Sequence, residues 1–257
     1  MSKEVRNIDN SWNAIFKKYN IDEHNFDLGA YEISAKQIKD ATKHLPTTGE
    51  QEVRIICKQD SRENRPKVFD EKGLFLLPIK NGKFAIIKGE GYVDIPEINS
   101  TAQEYNSKLD FELDTSKVGD SEMQHLDFAY ASSLIRTFMN DDSLVLTIRG
   151  RKYTPKVNFK VGDNELTSES VQTEVDSGYE GKNQIVLVEA KNSKTKNTII
   201  RQLYYPYRQW KFHTNKDVKT LFFEKRGDEC LIWEFIFEIE DDYNSIKLSK
   251  NAKFIIK

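Results

Sequence analysis

Between residues 121 and 139 apolar side chains recur at spacings of three and four: Met123, Leu126, Phe128, Ala131, Leu134, Ile135 and Phe138. That period predicts one amphipathic helix, capped at Asp120 or Ser121 and stopped by Asn140-Asp141-Asp142. The pattern then changes to that of strands. Residues 143–149 and 156–161 read as two strands, the polar but β-compatible stretch 169–176 as a third, and 184–191, centred on Ile185-Val186-Leu187-Val188, as a fourth. Between the last two, 177–183 contains Gly178 and Gly181 and predicts a turn that pairs them. A helix is expected over 195–210 from Ile199, Ile200, Leu203 and Tyr207, with Pro206 requiring a kink or an earlier end. A strand at 219–224 follows, and further strands at 231–239 and 252–256 extend the sheet or form an interface.

The first part of the chain has another character. Residues 11–19 and 34–44 predict helices, the second capped by Ser34, and 53–57 predicts a strand. Segments 74–79 and 84–88 flank Asn81-Gly82, a strong hairpin signal. The polar stretch from 95 to about 120, with Pro96 and Gly119, reads as a linker. The expectation is an N-terminal α+β domain over 1–115, whose helices and hairpin suit either a winged-helix-like unit that helps grip DNA or a plain structural lobe, and a C-terminal catalytic domain over 116–257.

Chemistry gathers at the end of segment 184–191. Glu189-Ala190-Lys191 closes an apolar run, where charges are costly to place unless something compensates them. Alternation along a strand puts Glu189 and Lys191 on one face, and pairing across the turn brings Asp176 beside Glu189. A hard divalent cation such as Mg²⁺ is held through one or two carboxylates, with water and phosphate completing the shell. Asp176 and Glu189 are the candidate ligands, the backbone carbonyl of Ala190 a third oxygen, and Lys191 the ammonium that orients or deprotonates water or stabilises developing charge.

Asp176, a hairpin, then Glu189-Ala190-Lys191 resembles the core motif of the PD-(D/E)XK nuclease superfamily, which includes the type II restriction endonucleases; Val175 stands where the family name has proline. The order of elements resembles the superfamily's αβββαβ core, a mixed sheet flanked by helices of α+β or α/β class, over about half the chain. This resemblance implies a Mg²⁺-dependent endonuclease that cuts double-stranded DNA at a specific sequence as a homodimer, with a cognate DNA methyltransferase as genomic partner. It implies that Glu122, at the start of the preceding helix, adds a metal-binding acid, the plain alternative being a favourable charge on the helix dipole. It also implies that Gln202 reaches the scissile phosphate or its water. A repair or recombination nuclease of the same fold, and a non-catalytic DNA-binding protein built on it, are the alternatives.

Composition adjusts this picture in one respect. Lys and Arg total 39 against 41 Asp and Glu, a net charge of -2, so DNA contacts have to be local. Arg149, Arg151, Lys152 and Tyr153 at a strand end, with Lys194 and Arg201 after the motif, are the candidate contacts. Cys57 and Cys230 have no metal-ligand spacing and are expected as reduced thiols. No apolar stretch approaches a membrane span, and the first residues lack the apolar region of a leader, so a cytoplasmic location without membrane contact is expected.

Overall fold

A computed structural model of the chain describes residues 6–257, the side chain of Lys117 excepted; residues 1–5, read above for the absence of a leader, lie outside the described residues. The chain begins with α1 (Asn7–Tyr19), β1 (Tyr31–Ser34), α2 (Ala35–Thr42), the short helical turns α3 (Thr48–Gln51), α4 (Val53–Ile56) and α5 (Lys67–Glu71), then β2 (Leu74–Lys80) and β3 (Lys83–Lys88). Ser34 caps α2: its hydroxyl accepts from the N–H of Gln37, whose side-chain oxygen accepts from the N–H of Ser34. Segment 53–57, expected as a strand, is the turn α4 instead. Its buried residues Val53 and Ile56 are three apart, a helical spacing, and pack with Trp12 and Ile15 of α1.

Asn81-Gly82 joins β2 to β3, with Gly82 at φ 72°, and the three strands pair in the order β1-β3-β2. This hairpin is a wall shared by two cores. Leu74, Leu76 and Ile86 face the N-terminal core around Trp12, whereas Phe75, Leu77, Ala85 and Ile87 face the core of the large sheet. Packing therefore runs on across the expected boundary at 115/116: Ile95 and Ile98 belong to the large core, and β5 (Gln103–Tyr105) to the large sheet.

The remaining elements are β4 (Tyr92–Asp94), α6 (Glu122–Ala131), α7 (Leu134–Met139), β6 (Val145–Tyr153), β7 (Val157–Val161), β8 (Asn164–Ser168), β9 (Gln172–Glu180), β10 (Gln184–Lys191), β11 (Asn197–Ile199), α8 (Arg201–His213), β12 (Asp217–Arg226), β13 (Glu229–Phe237) and β14 (Ile246–Ile256). Seven of the strands form a mixed sheet in the order β5-β14-β13-β12-β10-β9-β6, with β10 parallel to β12 and β14 parallel to β5. Helix α8 makes the crossover from β10 to β12. On its face of the sheet Ile185 and Leu187 pack with Leu203, Phe222 and Trp233; on the other, Val186, Val188 and Ala190 pack with Leu126, Leu134 and Ile232. Cover on both faces explains why β10 reads as an unbroken apolar run.

Four elements depart from the sequence expectation for identifiable reasons. The single helix over 121–139 is broken into α6 and α7 at Ser133, which takes left-handed φ 67°. Strand β9 runs through most of the expected turn, leaving 181–183 to connect it to β10. Gly178 is in the strand because of packing: a Cβ there would stand 2.6 Å from Cβ of Ile148. Strands β7 and β8 form a two-stranded sheet of their own, outside the large sheet. Residues 197–199 form β11 against β4, so α8 begins at Arg201, and it continues through Pro206 to His213. The proline removes the N–H that would bond the Gln202 carbonyl, while burial of Leu203, Tyr204 and Tyr207 holds the helix to the sheet. Among the described residues, no helix is long and apolar enough to cross a membrane.

The contact at Gly178 yields a test. Gly178→Ala is expected to destabilise the fold by about 1–3 kcal/mol, because the nearest atom is a branched Cβ that cannot swing away. Thermal unfolding reads this as a lowered Tm; an unchanged Tm contradicts the close approach of β9 to β6.

Candidate active site

Asp176 and Glu189 are brought to one place by a local irregularity. In the β6–β9 ladder Ile148 pairs with Gly178 and Gly150 with Val175, so Asp176 and Ser177 stand opposite Arg149 alone. One extra residue in β9 is a bulge, and it reverses the alternation of faces. Val175, before it, packs into the core on the α8 side, while Tyr179, after it, packs into the opposite core. The β9–β10 ladder ends at Val188 and Ser177. Beyond that pair the Asp176 side chain takes over: its Oδ2 accepts from the N–H of Ala190 at 2.7 Å. Asp176 and Glu189 line the same cavity of about 230 Å³, together with Glu174, Arg201 and Gln202.

Glu189 is buried, and three groups define its surroundings. Lys191 Nζ donates to Glu189 Oε1 at 2.5 Å and to the Ala190 carbonyl at 2.8 Å. Gln202, in the first turn of α8, donates from Nε2 to Glu189 Oε1 at 2.9 Å. The hydroxyl of Thr198 donates in turn to Gln202 Oε1 at 2.5 Å. Burial pushes the Glu189 carboxyl up to about 7; Lys191 pulls it down, and the charges of Asp176 and Glu122 push it further up. For Lys191, burial opposes the charge, but Glu189, Glu122 and Asp176 outweigh it and hold the ammonium above its ordinary range. Glu122, half-buried at the start of α6, thus acts electrostatically on both members of the pair.

The Lys191 ammonium touches Glu189 Oε1 and the Ala190 carbonyl, two of the oxygens a bound cation would share. Among the described residues, no three His, Cys, Asp or Glu side chains stand together as a ready-made cage for a metal ion. The cavity is lined by the carboxylates of Glu174, Asp176 and Glu189 together with Arg201 and Gln202; the Lys191 ammonium reaches it only through its bond to Glu189.

The domain of unknown function DUF6997 matches residues 87–255, and the domain of unknown function DUF6996 matches residues 9–86. The chain belongs to the DUF6997 family. The junction at 86/87 falls inside β3, so the two matched portions share the hairpin that separates the two cores. No curated protein and no solved structure matches the chain.

Every residue of the candidate site lies in the DUF6997 portion. Five of the six expected DNA contacts do not line the cavity. Arg149 pairs with Asp127 of α6, and Arg151 with Glu174 at 3.3 Å across β6 and β9. Lys152 and Tyr153 are exposed at the end of β6, an edge strand. Lys194, also away from the cavity, pairs with Glu97 at 2.5 Å. Arg201 does line it; its Nε is buried without a partner and its guanidinium stands 3.8 Å from Asp60. Two residues escaped the sequence reading. Thr198 carries no motif. Glu224, fully buried beside Lys191 on β12, accepts from the N–H of Thr195 at 2.8 Å and from Arg226 at 2.6 Å. Its place at the end of the apolar run Leu221-Phe222-Phe223 repeats the signal that marked Glu189.

The raised carboxyl of Glu189 fixes the sign of a pH effect. Its ordinary value is 4.5 and its folded value about 7, so between these the folded state holds the proton more tightly than the unfolded one. The associated stability is complete below pH 4.5 and is lost as pH rises through 7. Without divalent cations, Glu189→Gln is therefore expected to be more stable than the parent at pH 8 by about 1–3 kcal/mol, with the gap closing toward pH 5. Thermal melts across that range check it. A variant less stable at pH 8 contradicts a burial cost that Lys191 and Gln202 offset only in part.

Proposed function

We propose that this chain is a Mg²⁺-dependent endonuclease of double-stranded DNA, similar to the type II restriction enzymes of the PD-(D/E)XK superfamily. The observation that carries the reading is the convergence of Asp176, Glu189 and Gln202 on one cavity, with Lys191 bonded to Glu189 and the buried Glu189 carboxyl pushed up to about 7. A strongly perturbed acid with a charged partner in a cleft is a mark of functional sites. The topology supports the same reading: helices α6 and α7, the antiparallel neighbours β6, β9 and β10, the crossover α8, then β12 parallel to β10 follow the αβββαβ order.

The residues present fit Mg²⁺. Asp176, Glu189 and the Ala190 carbonyl are the hard oxygens that would hold it, with the charge of Glu122 nearby. Bound there, the ion would supply charge to activate water and to stabilise the phosphodiester as it is cut. The chain's own groups do the rest. Lys191 holds a proton at Nζ beside the reacting position, placed to orient the attacking water or to neutralise charge building on phosphate. Gln202 fixes the Glu189 carboxylate, and Arg201 faces the cavity with donors for a phosphate oxygen. Lys152 and Tyr153, exposed at the edge strand, are available to a duplex lying across that end of the sheet. One site per chain makes a homodimer the simplest way to cut both strands, and a methyltransferase of the same specificity the protector of the genome.

Digestion of DNA of known sequence in Mg²⁺ is expected to give discrete fragments. Asp176→Asn and Lys191→Ala should each lower cleavage by roughly a hundredfold or more while duplex binding persists. A clean Asp176→Asn preparation that cuts as fast as the parent contradicts the assignment; sequence-independent cutting of branched DNA alone would place the activity with repair nucleases.

A further inference from the structure

The segment between the Glu189-Ala190-Lys191 strand and α8 is held by the N-terminal part of the chain. Within β11, Asn197 is buried, and both ends of its amide are taken. Its Oδ1 accepts from the N–H of Arg62 at 2.8 Å, and its Nδ2 donates to the two Glu63 oxygens at 3.2 and 3.0 Å. Two residues on, the N–H of Ile199 donates to the Asp60 carbonyl at 2.9 Å. Loop residues 60–63 thus grip β11 by backbone and side chain, from more than 130 positions away in sequence. The opposite edge of β11 pairs with β4, so the segment is fixed from both sides.

Two of the α8 residues that line the cavity, Arg201 and Gln202, are tied to this grip. Arg201 has Asp60, of the same loop, as its acidic neighbour at 3.8 Å. Gln202 has Thr198, the residue beside Asn197. An amide has one acceptor end and one donor end, and the Thr198 hydroxyl bonded to Oε1 leaves Nε2 for Glu189. If β11 moves, that hydroxyl leaves, and the amide is free to turn its oxygen toward a carboxylate that would repel it.

We infer that loop 60–63 is a positioning clamp for the site, acting through Asn197 and Thr198 on Gln202, so that the N-terminal part completes the nuclease centre and is more than an appended lobe. This rests on the nuclease reading for its kinetic consequence, while the clamp itself is a matter of structure. It explains why a fully engaged buried amide sits where a purely packed strand would use an apolar residue: unpaired, Asn197 would be costly, and paired it fixes one position for β11. Neither Asn197 nor Thr198 touches the reacting groups; each acts through Gln202.

A charge-compatible rescue tests it on the full-length chain. Asn197→Asp sets a carboxylate against Glu63 while leaving an acceptor for the Arg62 N–H. It is expected to lower kcat for duplex cleavage by about tenfold to a hundredfold with KM changed little, the mark of a misplaced group in a site that still binds. Hydrogen exchange of amides 197–204 should accelerate in parallel. Adding Glu63→Gln returns a donor to face the introduced carboxylate and should restore both the rate and the protection. Parental kcat in Asn197→Asp, or a loss that Glu63→Gln does not recover, overturns the clamp. Should the parent protein cut no DNA, the nuclease reading falls and exchange alone decides: unchanged protection over 197–204 in Asn197→Asp overturns the clamp as well.

Discussion

The structure turns on a carboxylate placed where the fold alone would not put one. Glu189 follows Ile185 and Leu187 on a strand face packed beneath α8, and its burial leaves it short of compensation even with an ammonium at 2.5 Å and an amide at 2.9 Å. An isolated buried charge is among the most costly things a protein can hold, and partial pairing does not cancel that cost. The pair is therefore balanced rather than settled, with the acid driven up toward neutrality and the lysine held charged. Around it stand the Thr198–Gln202 hydrogen bond, the bonds of residues 62 and 63 to Asn197 of β11, and a second acid placed at the cavity where β9 bulges.

The bulge matters for what it does to β9. A regular strand would carry one alternation from Thr173 to Tyr179; the extra residue lets Val175 serve one core and Tyr179 the other, with Asp176 at the change of face. Gly178 permits the tight approach of β6 that closes the bulge, and the Ala190 N–H gives Asp176 a fixed partner in place of a ladder bond. Backbone irregularity and acid placement are one device here. A similar double use appears in the hairpin of β2 and β3, whose two faces close two cores and so join the N-terminal part to the sheet that carries the site.

Much of this was legible in the chain itself. The bounds of β10 follow from its apolar run, the shared face of Glu189 and Lys191 from simple alternation, the hairpin from Asn81-Gly82 and the α2 cap from Ser34. What was not legible depends on contacts between distant segments. The bulge exists only in the pairing of β9 with β6, and Asn197 matters only because residues 62 and 63 fold back onto it. Ser133 breaks a helix whose hydrophobic spacing runs on regardless. Arg149, Arg151 and Lys194 look like free cations in sequence, yet the fold gives each an acidic partner. Glu224 was overlooked although it carries the same signal as Glu189, an acid closing an apolar run.

The most direct test of the proposal that this partly compensated acid marks a seat for a divalent cation is anomalous scattering from crystals of the protein grown with Mn²⁺ and a duplex. The account predicts a peak within coordination distance of the Asp176 and Glu189 carboxylates and the Ala190 carbonyl, with Lys191 moved off Glu189. Crystals in which Mn²⁺ is bound elsewhere while Lys191 remains on Glu189 would contradict it.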